Sequence, residues 1–113
     1  MGSLTSVSSG TLTADGTEQT IFADAGENFL YHMAKIFVNN MVASDKVTIR
    51  IYDWDIVAAA FVLADTKKLQ DVQTDAKVGY VPPLPQHRMK VTLEQTATGV
   101  GGYKNFNWER LSN

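Results

Sequence analysis

At 113 residues the chain has room for one ordinary domain with a buried core, and a hydrophobic content of 44% is that of a folded protein. The net charge of -2 comes from acids and bases scattered along the whole length, and no basic cluster marks a phosphate-binding surface, so nucleic acid is not expected as a partner. With no cysteine, disulfides, thiolate metal sites and cysteine catalysis are excluded, which fits synthesis in a reducing cytoplasm.

The first ten residues have neither a basic start nor a continuous apolar run, so no signal peptide is expected. Nor does any apolar run approach the ~20 residues that span a bilayer, and no membrane partner is expected. Leu4 to Thr13 is rich in Ser and Thr and suits a half-exposed edge strand, with Met1 to Ser9 as a candidate N-terminal arm. Thr17 to Ala23 is expected to return antiparallel to it across the Asp15-Gly16 turn. Glu27 to Met41 is ambiguous. Leu30, Met33, Ala34, Phe37, Val38 and Met41 match one face of a helix, whereas a period of two places Leu30, Ala34, Ile36 and Val38 together with His32.

The clearest strand is Lys46 to Tyr52, where Val47, Ile49 and Ile51 point one way and Thr48, Arg50 and Tyr52 the other. Asp55 to Thr66 contains Ala58-Ala59-Ala60, of high helix propensity, and again suits either state. Arg88 to Gln95 repeats the alternation, with Met89, Val91 and Leu93 inward and Lys90, Thr92 and Glu94 outward. Gly99 to Gly102 reads as a flexible hairpin connection, after which Phe106 and Trp108 alternate with polar neighbours. Short apolar runs divided by turns at Asp15-Gly16, Ala25-Gly26, Asn39-Asn40, Ser44-Asp45 and Pro82-Pro83 predict an antiparallel sandwich or barrel. Both ambiguous stretches are assigned to strands on that context.

No catalytic, cofactor or metal residue is assigned. His32 and His87, the only histidines, have no nucleophile or orienting carboxylate suggested by spacing; His32 reads as a core or interface histidine and His87 as a solvated loop residue. Asp53 and Asp55 share a strand face and invite a calcium or glycosidase reading. A calcium loop would be longer and contain glycine, and a carboxylate pair across a cleft cannot be read from adjacency. Acids facing solvent at a strand end explain them more simply. Trp54, Trp108, Tyr52, Tyr80 and Tyr103 would stack on sugar rings if several shared a face, against the simpler reading as core or subunit contacts. Gly99-Val100-Gly101-Gly102 lacks the Lys and Ser/Thr of a phosphate loop.

Three stretches belong together: Ser9 to Phe22 (SGTLTADGTEQTIF), Asn40 to Tyr52 (NMVASDKVTIRIY), and Met89 to Ala97 (MKVTLEQTA) with the closing FNWE of Phe106 to Glu109. In this order they resemble a group of small β-proteins encoded by tailed viruses and proviruses. In those sequences the stretch matching Glu27 to Val38 reads as a strand. Ala58-Ala59-Ala60 and a longer middle segment through Lys77 depart from them, which leaves the strand order between Asp55 and Tyr80 open. The resemblance implies a virion component, a capsid decoration or cement protein made in the host cytoplasm, and brings no catalytic residues.

Residues and resemblance together predict a single all-β domain over 1–113, an antiparallel jelly-roll-like β-sandwich of about eight strands. Its expected role is that of a non-enzymatic, homo-oligomeric virion structural protein contacting the major capsid protein or another virion protein. The alternative is a carbohydrate-binding module of a fibre or adhesion device, and a small hydrolase using Asp53 and Asp55 is a third class.

Overall fold

A computed structural model describes the backbone of residues 5–23, 30–55, 57–72, 77–86 and 89–112, with side chains described for all of these except 5, 7, 30–33, 77–86 and 112. The alternation read in the clearest strands builds the core. In β4 (Lys46–Asp55), Val47, Ile49 and Ile51 are buried, and in β7 (Met89–Ala97), Met89, Val91 and Leu93 are. Facing them across the sandwich are Ala34 and Ile36 of β3 (Leu30–Phe37) and Phe106 of β8 (Asn105–Ser112). These strands are central in their sheets, and each large apolar side chain they bury contributes about 1.5–3 kcal/mol before entropy is counted.

The remaining strands are β1 (Thr5–Thr13), β2 (Gln19–Ala23), β5 (Ala60–Gln70) and β6 (Lys77–Gln86). One sheet runs β1-β8-β3-β6 and the other β2-β7-β4-β5, with every pairing antiparallel. Consecutive strands mostly cross from one sheet to the other, the exception being the β4–β5 hairpin. That is the winding of a jelly roll, as the sequence predicts.

Where they are described, the two ambiguous stretches form strands and turns and no helix. Residues 30–37 form β3, and Ala34, Ile36 and Val38 are buried, as a period of two requires. The alanines of residues 58–60 make the turn into β5, with Ala59 at φ 54°. Helix propensity yields here because β4 offers a strand to pair with, and tertiary pairing overrides a weak local preference.

Two expected connections are different. Thr17 to Ala23 does not return against Leu4 to Thr13: β1 pairs with β8 and β2 with β7. The chain turns a corner instead. Ala14 is buried and its amide donates to the Lys104 carbonyl (3.0 Å), while the Asp15 carboxylate accepts from the Thr17 amide (3.0 Å) and hydroxyl (2.6 Å). Gly16, at φ 87°, completes the turn with a backbone that L side chains rarely adopt. The loop of residues 99–102 is likewise no hairpin, since it joins β7 of one sheet to β8 of the other. Nor do all of residues 1–9 form a free arm, because residues 5–9 belong to β1 and pair with β8.

Candidate functional site

The outer face of the β2-β7-β4-β5 sheet carries the outward residues of β4 and β7, with Tyr52 and Trp54 of the five candidate aromatics among them. By register, Thr48 lies between Glu94 and Lys68, Arg50 between Thr92 and Thr66, and Tyr52 between Lys90 and Leu63, with Trp54 beside Phe61. Glu18, just before β2, gathers the middle of this face. Its carboxylate accepts from the hydroxyls of Thr92 (2.6 Å) and Tyr52 (2.5 Å) and lies 3.5 Å from Arg50, which also holds Glu94 at 2.9 Å. The Thr92 and Tyr52 donors, with Arg50 behind them, keep the Glu18 carboxyl below its ordinary range. Donation to Glu18 pushes the Tyr52 phenol up, and the bond to Glu94 does the same for the Arg50 guanidinium.

Beside this network lies an open groove of about 450 Å³ lined by Lys46, Thr48, Arg50, Lys68, Gln70 and Thr96. Thr48 faces outward as its parity requires, yet it is only 6% exposed, set between Glu94 and Lys68 of the two flanking strands. Its hydroxyl makes no hydrogen bond with a described residue. Toward the other end of the face, Tyr52, Trp54 and Phe61 gather around Lys90. The Lys90 ammonium lies 4.3 Å from the Tyr52 ring centre and 5.2 Å from that of Phe61, and Trp54 meets Phe61 edge-on at 5.0 Å.

Of the other aromatics, Trp108 packs against the core at 6.2 Å from Phe22 and covers Gly10, while Tyr103 is half exposed on the β7–β8 loop. Tyr80 is in β6, outside the described side chains. Asp53 and Asp55 are both exposed and serve local backbone. Asp53 accepts from the Trp54 amide (2.7 Å), and Asp55 caps the turn by accepting from Val57 (3.0 Å) and Ala58 (3.1 Å). By register His32 lies between Leu84 and Ser112, and His87 lies outside the described residues. Among the described residues, no three His, Asp or Glu side chains come together as metal ligands would.

Where the sheet ends, its chemistry changes. Among the described residues β5 is the last strand, with a hydrogen-bonded neighbour on one side only. The chain enters it through eight consecutive apolar residues, 57–64. Of these Val57 is 93% exposed, Val62 49% and Leu63 50%, and the neighbouring alanines are exposed too. A second shallow groove of about 220 Å³ follows this hairpin, lined by Asp53, Trp54, Asp55, Val62, Leu63 and Ala64. Large apolar side chains concentrated in water on an unpaired edge are what monomeric proteins ordinarily avoid. Sequence reading flagged this run only as a choice between helix and strand. Its lack of any polar alternation was the available signal.

The opposite end of β4 holds a polar cluster that sequence reading missed. Asp45 is fully buried, and its carboxylate accepts from the amides of Gly99 (2.6 Å) and Val42 (2.9 Å) and from Gln95 Nε2 (3.2 Å), with Lys104 Nζ at 3.4 Å. Burial alone pushes this carboxyl up, but the two amides and Lys104 outweigh it and hold it below its ordinary value. Gln95, also fully buried, accepts from the Lys104 amide (2.9 Å), and Lys104 caps the carbonyls of Val100 (2.9 Å) and Gly102 (2.6 Å). A glutamine on the inward parity of Met89, Val91 and Leu93 was the clue to it.

No protein-family model matches the chain, and no curated protein matches its sequence. Among solved structures it is similar to the structure of infectious bursal disease virus, Gx strain, at 11% identity and a TM-score of 0.45. The match covers 97% of this chain but 32% of the other, so the chain spans about a third of that protein. A likeness at this level carries no functional argument, and the fold rests on the strand order itself.

Proposed function

We propose that this chain is a non-enzymatic structural protein of a virus particle, a capsid decoration or cement component that acts by attaching to protein. The observation that carries the reading is the β5 edge, with Val62 and Leu63, and Val57 in the turn before them, held in water beside a strand whose outer backbone edge is unpaired among the described residues. Such an edge accepts another chain through main-chain hydrogen bonds and buried apolar contact, with no need of a side-chain signature. The resemblance of residues 9–22, 40–52 and 89–97 to small virion proteins supplies the setting, and the jelly-roll winding suits it, although one fold hosts many roles. Co-sedimentation with empty capsids assembled from the same genome tests the reading. The protein pellets with the shells, and failure to do so at micromolar concentration overturns the proposal.

A second reading has its own observation. Tyr52, Trp54 and Phe61 gather at one end of an exposed sheet face whose other end holds a groove rich in hydroxyl and cationic groups. That arrangement favours a carbohydrate-binding module. A glycan array separates the two, because a cement protein gives no signal and a sugar-binding module binds at micromolar concentration.

A further inference from the structure

We infer that the partner on the β5 edge is a second copy of this chain, paired antiparallel about a two-fold axis at Thr66. The inference rests on the structural reading above and names its first partner. Of the six exposed large hydrophobic side chains among the described residues, Val57, Val62, Leu63 and Val72 belong to β5 and the turns at its two ends. Apolar exposure is therefore concentrated where the sheet lacks a neighbour.

The charges on β5 select the occupant and the register. Asp65 is paired with Ile51 and Lys67 with Ile49, so both lie on the core side of the strand. Neither has an ion-pair partner among the described residues; the Asp65 carboxylate accepts only from the Thr66 amide next to it (2.8 Å). In a two-fold antiparallel pair, residues equally far from the centre face each other and lie on the same side of the joined sheet. Any register centred on a residue keeps the two core faces on one side, and those centred on residue 65, 66 or 67 bring the two charged positions to the middle of the pairing. Centring on Asp65 or on Lys67 sets like charges opposite each other, which is destabilising. Centring on Thr66 sets Asp65 opposite Lys67 of the second copy, and does so twice by symmetry. The bulge at Ala64 ends the strict opposition there, so Val62 and Leu63 stand at the margin of the pairing, past residues 68–70 of the second copy. Slipping by one residue would turn the core face of one copy to the solvent side of the other. Charges on an edge strand usually serve to repel other strands. These are arranged to accept a copy of themselves.

The experiment is a charge swap read by sedimentation equilibrium over a range of protein concentrations. The unaltered protein forms dimers. Asp65→Lys and Lys67→Asp, each of which sets like charges opposite each other at two places, raise the dimer dissociation constant about tenfold or more. The double substitution Asp65→Lys/Lys67→Asp restores opposite charges and returns the constant to within about threefold of the original. Because the double variant carries both changes, its recovery shows that the single losses were not misfolding, and a thermal melt of each variant checks the fold directly. A monomer at every concentration, or a double variant as weak as the singles, overturns the inference. Capsid co-sedimentation of the same proteins keeps the two claims apart. A monomer that still pellets with shells places a shell protein on β5 and leaves the structural role standing. A swappable dimer that ignores shells removes the role and leaves the dimer.

Discussion

At the Lys46 end of β4 a buried carboxylate is ringed by donors, whereas at the Asp55 end the chain turns back through apolar residues that stay in water. Both ends depart from the usual rule for sorting side chains, in opposite directions. The Asp45 cluster is polar and inside, and its partners come from the Val42–Asp45 turn, from β7 and from the β7–β8 loop. The molecule satisfies it completely by itself. The β5 hairpin is apolar and outside, with Val57, Val62 and Leu63 exposed. A buried polar group is tolerated only when its hydrogen bonds are complete. An exposed apolar edge is tolerated in evolution when something else completes it. The contrast divides the molecule into an end that locks the fold and an end that keeps apolar side chains in water.

The largest expected effect comes from breaking the locked end. Asp45→Ala leaves the Gly99 and Val42 amides and the Lys104 ammonium without their acceptor, and should cost about 3–5 kcal/mol in urea unfolding, with the slope unchanged. The effect depends on pH with a definite sign. The Asp45 carboxyl is held below its ordinary value in the folded protein, so its stabilisation is present above the unfolded carboxylate pKa of about 3.9. It is lost as pH falls through the folded value. The gap between the original protein and Asp45→Ala should therefore close on acidification, and a gap that widened would contradict the assignment. Ile49→Ala, in the core between the two ends, should cost about 2–5 kcal/mol at all pH values. Its independence of pH makes it the control.

A smaller loss is expected at Gly99. A methyl group built there would stand 1.9 Å from the Ala43 carbonyl oxygen, so one loop must move away from the other. Gly99→Ala should cost about 1–3 kcal/mol by overpacking, and it should also loosen the Gly99 amide from Asp45. Amide hydrogen exchange at residues 99–104 should quicken, while β5 keeps its own rate. Faster exchange in both regions would show that the two ends are coupled, and would blur the division drawn here.

How far each region was legible in the sequence follows from the kind of signal it carries. Val47, Ile49, Ile51, Met89, Val91 and Leu93 alternate strictly, and the structure buries all six, because a two-residue period admits one burial pattern. Sheet membership left no such trace. The Asp15-Gly16 turn looks the same whether the strands beside it pair with each other or pass into different sheets, and only the distant β7 and β8 decide that. The Asp45 cluster was hidden for a similar reason, since Gln95 and Lys104 reach Asp45 across about 50 residues of chain. Thr48 was read correctly as facing outward. Its burial comes from the central place of β4 between β7 and β5, which parity does not report.

The smallest effect on the fold should come from the open end, and there a small number is the informative one. Leu63 is 50% exposed and sits in the strand that ends the sheet, so Leu63→Ser removes little apolar surface that folding had buried. Its cost in urea unfolding, measured on the monomer at low concentration, should stay under about 1 kcal/mol. Self-association should respond far more strongly, because the apolar area at stake is buried only when a second chain arrives. An intramolecular role for the hairpin predicts the reverse, a loss of several kcal/mol in the monomer with no change in assembly. The ratio of the two effects is thus the measurement that matters. A large unfolding cost would mean that residues 57–64 belong to the core of their own domain, and that the edge of β5 is not the open face of this molecule.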